Sequence, residues 1–261
     1  MAYGIHSSFL TRQTFKEKIY FSHPIIISIV LRYRNILRII LFFKKSIGKC
    51  SSNIVIGESF DLMKDHYQKE GWAYQEDILN NNFHKDVVDN WPSIMYFRPA
   101  INAYKYYDWG FVVNFKDNNP DYYWQKYTDT NSWYNIFVRY LSSSQFLDRV
   151  SRVSGMPMKI DFILLTLANQ GSRLALHMDE EKKNNLDNLT CVFFIDGVNE
   201  IDSGGLTLVN DNQWNDIIFQ PVNILNSIII FNKNNNFYHG FRRINKGKYR
   251  YALLCNFTPE E

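Results

Sequence analysis

Cysteine is scarce in this chain. Cys50, Cys191 and Cys255 are the three in 261 residues, and they lie far apart. Neither a disulfide framework nor a zinc-ligand spacing can be built from them, which points to a reducing, cytoplasmic setting. A secretory leader is also not evident, because the first apolar run starts late and has no small-residue cleavage site after it. The chain shows no internal repeat, no linker and no low-complexity boundary.

Charge is short on one side of the first fifty residues. They hold nine Lys and Arg against the single acid Glu17, while the remaining 211 carry 20 bases against 25 acids. The basic character thus belongs to one end, so a general nucleic-acid surface is not expected. Pro24 opens the run IIISIVLRYRNILRIILFFKKSIGK, which reads as a helix ending near Gly48. It is long enough to span a bilayer, but Arg32, Arg34 and Arg38 sit inside it. Central arginines each cost on the order of 2.5–3.5 kcal/mol there, so a transmembrane span is rejected. Two readings stand for 24–49: a helix packed on the body of the protein, and a helix lying on an anionic membrane surface as a peripheral contact.

What the chain does have is apolar content, 46% hydrophobic and 16% aromatic, ample for a large core. Glu58–Lys69 reads as a short helix stopped by Gly71, and Ser93–Phe97 as a strand. Aromatics crowd residues 101–134, where they either pack a core or line a substrate pocket. Asn131-Ser132 caps a helix over Trp133–Leu141, and a second runs from Ser142–Ser144 to Gly155. From residue 158 the pattern changes to strands: Met158–Ala168, the segment carrying His177, Leu189–Asp196, Gly205–Val209, Ile217–Pro221, Ser227–Asn232, Tyr238–Ile244 and Tyr249–Phe257. So many short strands with Asn, Lys and Gly turns favour an antiparallel two-sheet or closed structure. The expected division is a helical extension over 1–95 and a β domain over 96–261 with helices at 132–155.

Within that β region His177 and Asp179 are two residues apart, so on an extended segment they leave the same face. His239 follows 60 residues after Asp179. Two imidazoles and one carboxylate can hold one face of an octahedral metal and leave the other open. Eleven residues beyond His239 comes Arg250, a guanidinium suited to a bidentate grip on a carboxylate. On the same alternation rule Arg173 should share the inward side of His177, and one of Arg242 and Arg243 should face the site; Arg173 and Arg243 are therefore candidate substrate contacts. Glu180 and Glu181, followed by Lys182 and Lys183, read as a solvated loop.

From about Lys159 to Phe257, the order His177-x-Asp179, LTCVFFID, Gly204-Gly205-Leu206, a Pro221 turn, SIIIF, His239-Gly240 and Arg250-Tyr251-Ala252 resembles the Fe(II)/2-oxoglutarate-dependent oxygenases, near their prolyl-4-hydroxylase-like branch. The first 158 residues carry no such likeness. The resemblance implies a double-stranded β-helix, a cupin-like jelly roll, behind an N-terminal helical layer. It implies Fe(II) held by His177, Asp179 and His239, with 2-oxoglutarate and O2 as cosubstrates and Arg250 on the far carboxylate. Thr166, and after it Gln170, stand where relatives often place a second 2-oxoglutarate contact. Many relatives carry a hydroxyl residue two after the arginine, whereas this chain has Ala252, so other hydroxyls or waters would have to complete the cosubstrate site. The implied activity is hydroxylation of an unactivated C–H bond in a small molecule or a carrier- or lipid-linked metabolite; Asp179 argues against halogenation. The competing class is an inactive or cosubstrate-independent cupin-like binding protein. Substrate identity and oligomeric state are not legible in the sequence.

Overall fold

The computed structural model describes residues 55–91, 98–99, 107–109, 111–114, 133–168, 170–178, 188–197, 200–201, 204–232, 237–245 and 249–260, with backbone alone for 98–99, 107–109 and 111–114. The expected helix at 24–49, the strand at 93–97, Asp179 and the loop at 180–183 lie outside these residues.

Twelve described strands form two antiparallel sheets. The larger has the order β1 (Trp72–Glu76), β10 (Ser227–Asn232), β7 (Leu189–Gly197), β12 (Arg250–Pro259), β5 (Met158–Ala168), β4 (Phe111–Asn114) and β2 (Arg98–Pro99). The smaller runs β3 (Tyr107–Trp109), β6 (Arg173–His177), β11 (Tyr238–Phe241), β8 (Thr207–Val209) and β9 (Ile217–Phe219). This is the expected jelly roll.

The large sheet is buried on both faces, which explains why its central strands read as unbroken apolar runs rather than alternating ones. On β7, Cys191, Phe193 and Ile195 face the helices, while Val192 and Phe194 face the smaller sheet. On β10, Ile228 and Ile230 take the first side, Ile229 and Phe231 the second. Cys191 and Cys255 sit opposite each other across β7 and β12, and both are free and buried. Burial pushes both thiols up from their usual range, so they are inert core groups.

The helical layer covers one face of this sheet. A 3-10 helix (Glu58–Met63) runs into α1 (Lys64–Glu70), which Gly71 ends at φ 74°; α2 (Asn81–Asp89) is capped by the Asn80 side chain. Next come α3 (Trp133–Leu141), burying Trp133, Tyr134, Phe137 and Leu141, and α4 (Ser144–Ser154), which starts on the Ser143 hydroxyl and stops at Gly155. Trp133 and Tyr134, the described end of the aromatic-rich stretch, are therefore core residues. β1, within the N-terminal part, pairs along its length with β10, and its WAYQE segment completes an edge that would otherwise expose backbone donors and acceptors. Among the described residues no helix is long and apolar enough to cross a membrane.

Arg149 on α4 joins the N-terminal segment to this layer. Its Nε donates to Asp61 Oδ2 at 2.9 Å and its two Nη atoms to the carbonyls of Ile56 and Gly57 and the Tyr140 hydroxyl. Truncation to alanine would remove the donor from four acceptors at once. The expected cost in unfolding free energy is about 3 kcal/mol, checked by chemical denaturation of Arg149→Ala against wild type.

Candidate metal and cosubstrate site

His177 closes β6 and His239 is the second residue of β11. The two are direct cross-strand partners, and their ring centroids are 4.3 Å apart. The next paired positions are Phe241 and Leu174, so two steps on β11 oppose three on β6. That extra residue is a β-bulge, which bends the strand and changes which side chains share a face. It puts Leu174 and His177 on the side of Phe241 and His239. Gly240 sits against the bulge, where a Cβ would lie 2.6 Å from the Leu174 carbonyl oxygen and 3.1 Å from that of Ala175. A side chain at 240 would push the two strands, and the two histidines, apart.

His177 Nδ1 lies 2.9 Å from the Ala175 carbonyl oxygen, which can only accept, so Nδ1 carries the proton and Nε2 the lone pair. A metal-binding imidazole is commonly oriented in this way. His239 is buried, 6% exposed, with its ring 4.9 Å from that of Phe231. Among the described residues no third His, Cys, Asp or Glu joins the pair. Asp179, two residues past the end of β6, is the carboxylate the sequence offers there. The donor set so placed, two imidazoles at the end of a β-bulge, suits a divalent metal with N and O ligands.

Arg250 opens β12 on the opposite sheet and is 4% exposed. Its Nη1 donates to the Gly204 carbonyl at 2.7 Å and its Nη2 to Thr166 Oγ1 at 3.4 Å. The guanidinium carbon lies 4.5 Å from the ring centroid of Phe241 and 5.8 Å from that of Phe194. Gly204 adopts φ +95°, and a Cβ there would meet Ile244 Cδ1 at 2.8 Å, so glycine is what lets its carbonyl approach the arginine. Thr166 is the register partner of Ala252 and donates to its carbonyl at 3.3 Å. This places the Thr166 hydroxyl on β5 beside Arg250. A guanidinium buried between two sheets and oriented by a carbonyl and a hydroxyl fits the distal carboxylate of a 2-oxo dicarboxylic acid.

Arg173 is exposed while Leu174 is buried, because the bulge breaks the alternation that would have set Arg173 beside His177. Arg242 and Arg243 are both exposed, since β11 ends at Phe241 and no alternation extends to them. Arg243 donates to the Gly171 carbonyl at 3.1 Å, and Arg242 lies 5.2 Å from the Trp214 ring centroid. Phe241 and Phe194 went unnoticed in the sequence, although Phe241 is two residues from His239 and alternation would have placed it on the same face.

A groove of about 640 Å³ lies between the start of β1, the end of β10 and the helical layer, apart from the two histidines. Trp72, Asn210, Ile218, Asn232 and Phe237 line it, with the last turns of α1 and α4 opposite.

No protein-family model and no curated protein sequence matches the chain. Solved structures do. A prolyl-4-hydroxylase from Pseudomonas putida is 12% identical with a TM-score of 0.50, over 77% of this chain and 99% of that one. HygX from Streptomyces hygroscopicus, solved with nickel, 2-oxoglutarate and hygromycin B, is 9% identical with a TM-score of 0.52, over 75% and 85%. SnoK, a non-heme α-ketoglutarate-dependent carbocyclase from nogalamycin biosynthesis, is 10% identical with a TM-score of 0.53, over 81% and 86%. The chain has the jelly-roll fold of the 2-oxoglutarate/Fe(II) oxygenases, and shares it with structures of the prolyl-4-hydroxylase-like branch.

Proposed function

We propose that this protein is a non-haem Fe(II)- and 2-oxoglutarate-dependent oxygenase that hydroxylates an unactivated C–H bond of a small molecule, free or linked to a carrier or lipid. The observation that carries the reading is the pairing of His177 with His239 across the bulge, with a buried, oriented Arg250 inside the same barrel. His177, His239 and Asp179 would hold the iron, and Arg250 with Thr166 would take the far carboxylate of 2-oxoglutarate. With both groups bound, one oxygen atom of O2 enters the substrate and the other enters succinate, with release of carbon dioxide.

The chain's own part is positioning. The Ala175 carbonyl holds the His177 proton on Nδ1 and fixes the ring plane. Phe194, Leu208, Phe231 and Phe241 belong to the apolar interior between the sheets, where Arg250 is buried, and low polarity there strengthens its grip on an anion. HygX, with hygromycin B bound, supports a small-molecule class of substrate.

The test is to load the protein with Fe(II) and 2-oxoglutarate without oxygen, then admit oxygen with metabolite extracts. The expected result is a visible metal-to-ligand absorption band, then substrate-stimulated succinate and a product heavier by one oxygen atom. Absence of both band and 2-oxoglutarate turnover would leave a binding protein of the same fold.

A further inference from the structure

We propose that Phe241 is the residue that sets cosubstrate length: its ring seats the Arg250 guanidinium at a fixed distance from the metal pair, selecting five-carbon 2-oxo dicarboxylates over four- and six-carbon ones. This rests on the oxygenase reading above.

His239 and Phe241 are two positions apart on β11 and share a face, so they are separated by about 7 Å along the strand. Both residues have direct partners on β6, namely His177 and Leu174, and Gly240 between them has backbone packed against it with no room for a Cβ. Phe241 itself is 1% exposed. Arg250 comes from the other sheet. Its own strand therefore does not fix where the end of its side chain lies relative to the histidines; the contact across the sheets does.

Two hydrogen bonds and two rings, Phe241 and the more distant Phe194, surround that end. The Gly204 carbonyl and the Thr166 hydroxyl set the rotation of the guanidinium plane, since each takes a hydrogen bond from one Nη. The Phe241 ring, 4.5 Å away, sets its height along β11. The negative face of the ring attracts the cation, and more strongly where water is excluded. The same strand thus carries one metal ligand and the seat of the anion-binding group, and acts as a ruler between them. A 2-oxo acid that chelates at the histidine end must reach the guanidinium with its other carboxylate. Oxaloacetate is one methylene short of 2-oxoglutarate and 2-oxoadipate one too long. A methylene of mismatch in a packed site commonly discriminates by about 10–200-fold.

The experiment is an oxygen-free titration of the Fe(II)-loaded protein with 2-oxoglutarate, oxaloacetate and 2-oxoadipate, read by the absorption band of the bound 2-oxo acid. Iron binding is measured separately on each variant. Wild type should prefer 2-oxoglutarate by at least about tenfold over either homologue. In Phe241→Leu the 2-oxoglutarate dissociation constant should rise about 5–30-fold, the worth of the lost ring–cation contact. The preference over 2-oxoadipate should narrow in parallel, with iron affinity unchanged. Phe241→Tyr, which keeps the ring, should restore both. A Phe241→Leu protein with wild-type affinity and ranking would overturn the proposal while leaving the oxygenase reading intact. So would a wild-type protein that binds 2-oxoadipate as tightly as 2-oxoglutarate, a result that needs no variant to fold. A wild-type protein that binds no 2-oxo acid would overturn both.

Discussion

Replacing His239 with alanine should lower Fe(II) affinity by roughly a hundredfold or more, since even residues behind the ligands are worth 10–100-fold. Turnover of 2-oxoglutarate should be lost with it. The residue is buried against Phe231 and paired directly with His177, so its removal takes half of the imidazole pair and leaves a cavity that His177 cannot fill. Asp179→Ala should do the same through the carboxylate side, as it removes the anionic ligand. Equilibrium metal titration checks both, alongside a thermal melt that separates loss of metal from loss of fold. Wild-type iron affinity in His239→Ala would end the metal-site reading, whereas wild-type affinity in Asp179→Ala alone would move the third ligand elsewhere.

Arg250→Ala should raise the 2-oxoglutarate dissociation constant by two to three orders of magnitude with iron binding nearly intact. Breaking one side of a buried charge pair costs about 3–5 kcal/mol, and this guanidinium is almost wholly removed from water. Loss of the side chain also leaves the Gly204 carbonyl and the Thr166 hydroxyl short of a partner and opens space over Phe241, so the melting temperature should fall as well. Arg250→Lys should recover part of the affinity, because it keeps the charge and loses the planar fork. The measurement is the same oxygen-free titration. An unchanged curve for Arg250→Ala would mean that another base holds the cosubstrate. Arg243 is a poor candidate, being exposed and bonded to Gly171; Lys248 would be tested next.

Much of the architecture is legible in the sequence because its determinants are local. α3, β5 and β10 span the segments their patterns mark, and α4 begins at a serine cap and ends at a glycine in the left-handed region. β11 is shorter than its apolar pattern suggests, ending at Phe241. Beyond it the chain turns to exchange bonds at Ile244 with Gly171 and Ser172, a contact no local rule foresees. β1 was not evident, since WAYQE gains its strand character from lying along β10.

For the site, the sequence by itself determined the residue types and their order: two histidines at strand ends, an aspartate near the first, a glycine after the second, an arginine opening the last strand. Periodicity and spacing are properties of one segment, and they suffice for that. The tertiary structure decided which of the neighbouring residues take part. The extra residue in β6 turned Arg173 outward and put Leu174 in register with Phe241. The alignment of β5 with β12 brought Thr166 to Ala252 and so to Arg250. Packing of one sheet on the other laid the guanidinium over Phe241, 9 residues away in sequence and on a different sheet. Bulges, cross-strand register and sheet-to-sheet contact depend on two segments at once, and no pattern within either segment contains them.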